Sequence, residues 1–354
     1  MNTEFLTAEA VELLKLLVAT PRTSRSEEAA ATLFADFMAQ RGFAPQREAN
    51  NVWCTAEGYS AERPTLLLNA HLDTVRAVSA WTRDPLLPSL EGDRLYGLGT
   101  NDDGGSLVSL MEAFLALRGE RLRFNLIFSA SAEEEVSGAR GVEAALGEMP
   151  HIDAAIVGEP TALRAAVAEK GLMVIDFTAH GRAGHAARGE GINAIYKAVD
   201  DIERIRALRF GRTSPLLGDP KVTVTIIGAG TQHNVIPDRC TFTADVRSNE
   251  HYGNRELYDL ITSLCESEAH ARSFRLNSSG LSHDHPLYRR AVETGRSTFG
   301  SPTLSNQALM SFPSLKIGPG DSARSHSADE YIALSEIEEA IPFYIDFIRG
   351  LALS

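Results

Sequence analysis

The order of apolar and polar residues divides the chain into alternating helices and strands. Apolar positions recur at helical spacing over residues 6–19 and 26–41, with Thr7 and Ser26 placed as N-caps, and the stretches 51–59 and 65–73 read as strands. A helix at 105–118 follows the glycine-rich turn LGTNDDGG, and the runs RFNLIFSAS and IDAAIVGEP predict strands ending at 131 and near 158. Near-continuous apolar strands suit a sheet covered on both faces. From about residue 171 the pattern changes. The strands LMVIDFTAHG, KVTVTIIGAG and CTFTADVRS alternate apolar with polar positions and are accompanied by helices at 191–206 and 253–270. Such alternation suits an antiparallel sheet with one covered face. After about 284 helix and strand resume, closing with SLKIGPG and a helix over 335–350. The expected fold class is α/β: a doubly wound mixed sheet over 1–170 and 281–354, interrupted by an inserted α+β domain at 171–280.

Composition narrows the partners. The chain has 354 residues, 44% hydrophobic and 23% charged, which is ordinary for two globular domains. A formal charge of −13 and a pI near 5.3 argue against nucleic acid or an anionic membrane surface, since both select clustered Lys and Arg. Cys54, Cys240 and Cys265 are odd in number and widely spaced, so neither a disulfide framework nor a thiolate metal site is expected. The N-terminal stretch MNTEFLTAEAVELLKLLVATP carries Glu4, Glu9 and Glu12, unlike a signal peptide, and no apolar run reaches membrane-spanning length. A cytoplasmic protein is the expectation.

The candidate chemistry begins at TLLLNAHLDTV, where an apolar strand finishes in His71 and Asp73. Alternation points residues i and i+2 the same way, past the carboxyl end of the strand, where open α/β sheets keep their ligands. Acids and a histidine recur at comparable places: Asp102 and Asp103 in YGLGTNDDGG, Glu133, Glu134 and Glu135 after IFSASA, Glu159 after AAIVG, and His326 in DSARSHSADEYI. Each alone has an ordinary reading as a helix-start charge or a solvated loop residue. Together they gather at one rim of the sheet. Imidazoles and carboxylates suit Zn²⁺ or a similar ion, and a shared carboxylate can bridge two ions about 3.5–4 Å apart. A spare carboxylate beside such ions suits taking the proton of an attacking water.

Five stretches in order, HLDTV, GLGTNDDGG, AEEEVSG, VGEPT and HSADEYI, make the chain resemble the zinc metallopeptidase family of acetylornithine deacetylase, succinyl-diaminopimelate desuccinylase, aminoacylase and glutamate carboxypeptidase (carboxypeptidase G). The resemblance covers essentially the whole chain. It implies a phosphorylase/hydrolase-like catalytic domain, an inserted dimerisation (lid) domain and a homodimer. It implies two divalent ions per chain, Zn²⁺ with Co²⁺ as a substitute: His71 and Glu159 on one, Glu135 and His326 on the other, Asp102 bridging. Glu134 would then be the general base and Asp73 would orient His71. In the inserted domain, GRAGHAARGEGINAI resembles the segment whose histidine, here His185, polarises the substrate carbonyl across a dimer. QHNVIPD resembles the segment supplying a polar contact, here Asn234, and ADVRS an arginine, here Arg247, that pairs with a substrate carboxylate.

The implied reaction is hydrolysis of the amide of an N-acyl amino acid. IGPGDSARSHSADEYI resembles the acetylornithine deacetylases more than the diaminopimelate enzymes, which points to N-acetylornithine and arginine biosynthesis. N-acetylcitrulline and N-succinylornithine stay open, with Arg182, Arg188 and Arg324 as candidates to meet an acyl carboxylate. Succinyl-diaminopimelate desuccinylase and dipeptidase or carboxypeptidase activity come next, and a non-catalytic metal-binding scaffold last, because every implied ligand and Glu134 are present. The chain departs from many relatives at Gly104, where they carry a basic residue, and at HAARGEG, where they carry a proline.

Overall fold

The computed structural model describes residues 3–353; Met1, Asn2 and Ser354, at the ends of the two outer ranges above, lie outside them. The chain divides into two compact units. One takes the residues up to Val167, Leu281–Phe299 and the chain from Ser305 onward; the other takes Ala168–Gly280 and Gly300–Leu304.

The first unit is built on a mixed sheet. Its order runs Gln46–Glu48, Asn51–Thr55, Asn125–Ser131, Thr65–His71, Ala154–Val157, Ser314–Lys316, Ala165–Glu169. The four strands from Asn125–Ser131 to Ser314–Lys316 are mutually parallel, with antiparallel strands flanking them. The strand Thr65–His71 has Asn125–Ser131 on one side and Ala154–Val157 on the other, so the strand order reverses there and opens a crevice at its carboxyl end. Every residue of Thr65–His71 and Asn125–Ser131 is buried. Leu66, Leu68 and Ala70 join the core formed with the helices Thr3–Val18, Gly105–Leu117 and Leu334–Gly350, whereas Leu67 turns to a smaller core with Trp53, Ile127 and Ile152.

Helix Gly105–Leu117 carries one oddity. Glu112 is fully buried, and neither carboxyl oxygen has a hydrogen-bond partner among the described residues. Burial, with Glu9 adding and Arg41 opposing, pushes its pKa up to about 8. The folded chain therefore keeps a proton there that the unfolded chain has released. This contribution to stability is intact below the ordinary glutamate pKa, falls by about 1.4 kcal/mol per pH unit above it, and is lost once the pH passes about 8. Glu112→Gln should flatten the fall in thermal midpoint over that window relative to the parent chain, measured at fixed ionic strength.

The second unit holds a four-stranded antiparallel sheet in the order Lys221–Ala229, Arg239–Arg247, Met173–His180, Glu268–Ala271. Inward positions of Met173–His180 and Arg239–Arg247 alternate with outward ones and pack on the helices Ala194–Ala207 and Asn254–Thr262; Phe177 and Phe242 stack with ring centroids 4.5 Å apart. Lys221–Ala229 is an edge strand, and its Ile226 and Ile227, 61% and 54% exposed, follow a register shift between Val224 and Ile226.

Several local expectations change. Thr7 lies inside a helix that already runs from Thr3, and the cap position of Glu28–Gln40 belongs to Glu27, not Ser26. The Glu27 carboxylate is buried and accepts from the amides of Arg25 and Glu133 and from Asn50 Nδ2, so tertiary contacts place the helix start. The strands expected at 51–59 and 65–73 stop at Thr55 and His71. The helix expected at 253–270 ends at Thr262, because Glu268–Ala271 pairs with Met173–His180 and completes the sheet edge.

Candidate metal centre

Chain segments leaving neighbouring parallel strands converge on the crevice. His71 is the last residue of Thr65–His71; Glu134 and Glu135 open a short turn after Asn125–Ser131; Glu159 follows Ala154–Val157. Asp102 lies in the turn Thr100–Gly104 that starts the Gly105–Leu117 helix, with a cis Asp102–Asp103 peptide. His326 follows the turn Ser322–Arg324. Glu133 and His326 hold left-handed backbone, φ +54° and +57°, an arrangement non-glycine residues keep only where surrounding contacts enforce it.

Asp102 sits between the two histidines. Its Oδ1 is 3.1 Å from His71 Nε2 and its Oδ2 is 3.6 Å from His326 Nε2. His326 Nε2 is also 2.9 Å from Glu135 Oε2. On the other side, ligand atoms of His71, Glu134 and Glu159 all lie within 4.8 Å of one another, as do those of His71, Asp102 and Glu135. The imidazole of His71 is turned by its Nδ1, which lies 2.9 Å from the Asp73 carbonyl oxygen and 3.5 Å from the Asp73 carboxylate. That carboxylate also organises the glutamate turn. Its Oδ1 accepts from the amide of Glu134, and its Oδ2 from the amide of Glu135 and the hydroxyl of Ser24.

Gathering this much negative charge away from water shifts its protonation. Burial pushes Glu134 up to about 8, with Glu135, Asp73 and Asp102 adding and His71 opposing. Glu159 is raised well above the carboxylate range by burial and by its acidic neighbours, with Lys316 opposing. His326 rises to about 9, chiefly through its contact with Glu135. The excess of carboxylates over cations, and a donor set of carboxylate oxygens and imidazole nitrogens, fit divalent ions of the Zn²⁺ kind.

A family model described as Peptidase family M20/M25/M40 matches residues 67–350. The chain belongs to that family. It is a hydrolase of the M20 kind. The chain is 28% identical over 381 residues to an acetylornithine deacetylase from Proteus mirabilis, with 97% of each chain covered. Among solved structures it superposes on the aminopeptidase PepT from Bacillus cereus with a TM-score of 0.78 at 19% identity, covering 99% of this chain and 98% of that one. It also superposes on the YXEP protein of Bacillus subtilis, a dinuclear metal-binding peptidase of the M20 family, with a TM-score of 0.75 at 15% identity, covering 99% and 100%.

Of the remaining candidates in this M20/M25/M40 chain, His185, Asn234, Arg247, Arg182 and Arg188 lie in the second unit and Arg324 in the first. His185 and Asn234 stand on adjacent bridged segments: Gly184 and His185 pair with Ile236 and Val235, and the Ala186 amide donates to the Asn234 carbonyl. His185 is exposed, and its Nδ1 accepts from the Ala187 amide at 3.1 Å. Accepting at Nδ1 leaves the proton of the neutral ring on Nε2, pointing that nitrogen outward as a donor. Arg247 forms a two-point ion pair with Asp245 on its own strand. Arg182 and Arg188 are exposed in the second unit, whereas Arg324 in the first is held by both oxygens of Glu336. That pairing occupies the guanidinium proposed for an acyl carboxylate.

Proposed function

We propose that this M20/M25/M40 hydrolase cleaves the amide bond of an N-acyl amino acid, with N-acetylornithine as its substrate and arginine biosynthesis, in the cytoplasm, as its setting. The observation that carries the reading is Asp102 offering one oxygen to each of two histidines, with the partly buried Glu134 beside them. The Proteus mirabilis relative supports the acyl-ornithine choice.

Residues His71, Asp102, Glu135, Glu159 and His326 would hold two divalent ions, Zn²⁺ or Co²⁺ in its place, which supply Lewis-acid polarisation and lower the pKa of the attacking water. Glu134 takes the proton from that water and returns it to the leaving amine. Asp73 keeps Glu134 and Glu135 in register through their amides and helps fix the His71 ring. His185, brought by the partner in a homodimer, donates Nε2–H to the oxyanion; Asn234 adds a polar contact, and Arg247, once released from Asp245, meets the substrate carboxylate. The dimer is supported by the open edge strand Lys221–Ala229 with Ile226 and Ile227, and by the exposed Tyr196 and Val199 on the nearby helix.

The test is a panel of N-acetylornithine, N-acetylcitrulline, N-succinylornithine, succinyl-diaminopimelate and dipeptides, run with added Zn²⁺ or Co²⁺. Turnover confined to dipeptides would replace this substrate by a peptide. Chelation should abolish turnover, and His71→Ala should lower the bound-metal count per chain measured by mass spectrometry. Full activity after exhaustive chelation would refute the metal-dependent reading.

A further inference from the structure

Two charged residues behind the cluster take no part in the scheme above. Arg22 is 2% exposed and lies in the turn after the first helix. Its Nη1 donates to the carbonyl of Leu72, between His71 and Asp73, and its Nη2 donates to the Gly99 carbonyl at 2.8 Å. Glu330, also 2% exposed, grips the same turn from the other polarity. Its Oε2 accepts from the Gly99 amide at 3.0 Å, and its Oε1 accepts from the amides of Asn101 and Asp102 at 2.9 Å each. Gly99 allows this closeness. Its backbone is left-handed, φ +73°, and a Cβ there would collide with Arg22 and Thr74.

Burying both groups costs hydration. The attraction of Glu330 is the first to offset the burial of Arg22, ahead of Asp73, Asp103 and Asp102, whereas burial of Glu330 is opposed mainly by the amides it accepts from and still pushes its pKa up to about 7. What the pair holds is the Gly99–Asp102 turn, and through Leu72 the His71–Asp73 segment. Glu330 follows His326 by four residues, and Asn101 adds hydrogen bonds to Asp321 and Ser325 just before that histidine. The segments carrying His71, Asp102 and His326 are thus tied together by side chains outside the proposed ligand set.

We propose that Arg22 and Glu330 are positioning residues, one buried clamp on the Gly99–Asp102 turn that holds the Asp102 carboxylate between His71 and His326, where it would serve as a metal ligand. The inference rests on the two-ion reading of the site. It assigns the clamp chiefly to the ion of Glu135 and His326, because Asp102 and His326 stand on the loops the clamp ties together, whereas His71 and Glu159 stand at the ends of the buried strands Thr65–His71 and Ala154–Val157.

The test is a Co²⁺ titration of the chelated full-length chain, followed by calorimetry and by visible absorption, for the parent, Glu330→Gln, Arg22→Met and the double variant. Glu330→Gln preserves size and removes the charge and one acceptor. The expected result is a first ion bound as in the parent and a second ion weakened by about 10–100-fold with an altered absorption spectrum, a selective loss that the common lowering of the thermal midpoint from an uncompensated Arg22 does not produce. The double variant should be no worse than the poorer single one, as for two halves of one device. If the parent takes up two ions and Glu330→Gln does so with parental affinity and spectrum, the clamp is wrong while the metal site stands. Equal weakening of both ions alongside a lowered midpoint would show a merely structural role and overturn it too. A parent chain that does not bind two ions refutes the two-ion reading and the clamp with it. Should Arg22→Met fail to fold, Glu330→Gln alone decides.

Discussion

Glu134→Gln should retain both metal ions and lose turnover by about 10²–10⁴-fold, the usual worth of a positioned general base. The geometry makes the comparison sharp, because Glu134 has two possible roles. Its Oε2 lies 4.0 Å from His71 Nε2, and with Glu159 it belongs to a group compact enough to ligate an ion. A ligand replaced by an amide loses metal; a base replaced by an amide loses the proton transfer and keeps the metal. Metal content measured beside kcat therefore separates them. Near-native turnover in the Gln variant would move the base elsewhere in the run Glu133–Glu135. Glu133 is the poorer alternative, since its carboxylate faces Arg25 and would contact any Cβ at Gly138, away from the Asp73 contact that aligns its two neighbours.

The second large effect is expected at His185. His185→Ala should leave metal content and dimer mass unchanged and lower turnover by about 10²–10³-fold, as for loss of one oxyanion donor. A donor aimed at charge that exists only in the transition state lowers the barrier without tightening substrate binding, so the loss should fall on kcat more than on KM. The local structure supplies the donor: with Nδ1 taken by the Ala187 amide, Nε2 carries the proton. Mixing inactive His185→Ala chains with inactive Glu134→Ala chains tests the shared site. A mixed dimer has one site with both residues intact and should regain activity. Verified mixed dimers without activity, or a fully active monomer, would end that proposal.

How much of this was legible follows from the range of the interactions. His71, Glu134, Glu135 and Glu159 each stand just past an apolar run, and apolar runs announce buried parallel strands without reference to the rest of the chain. The structure accordingly brings these four residues into one crevice. Arg22 and Glu330 carry no such mark. Each acts by hydrogen bonds to backbone groups far away in sequence, and neither periodicity nor a neighbouring motif records which peptide a side chain will meet. Glu330 falls within HSADEYI, but only its position beside the Gly99 turn gives it partners. The strand Glu268–Ala271 was hidden for a related reason: the preceding helical pattern runs on without a break, and its end is decided by a vacant sheet edge beside Met173–His180. The hold of the Asp73 carboxylate on two amides likewise belongs to a turn whose path the sequence does not display.

On the two-ion reading proposed above, packing Asp102, Asp103, Glu134, Glu159 and Glu330 into one largely buried region would make the ion-free chain the less durable form. An ion that binds only the folded state adds stability with its own supply, about 2.7 kcal/mol once its free concentration reaches about a hundred times its Kd. To a protease that cuts transiently opened chains, loading and folding are then a single variable. The amount of this enzyme surviving in a cell would follow the availability of its metal, so scarcity would remove the protein as well as idle it.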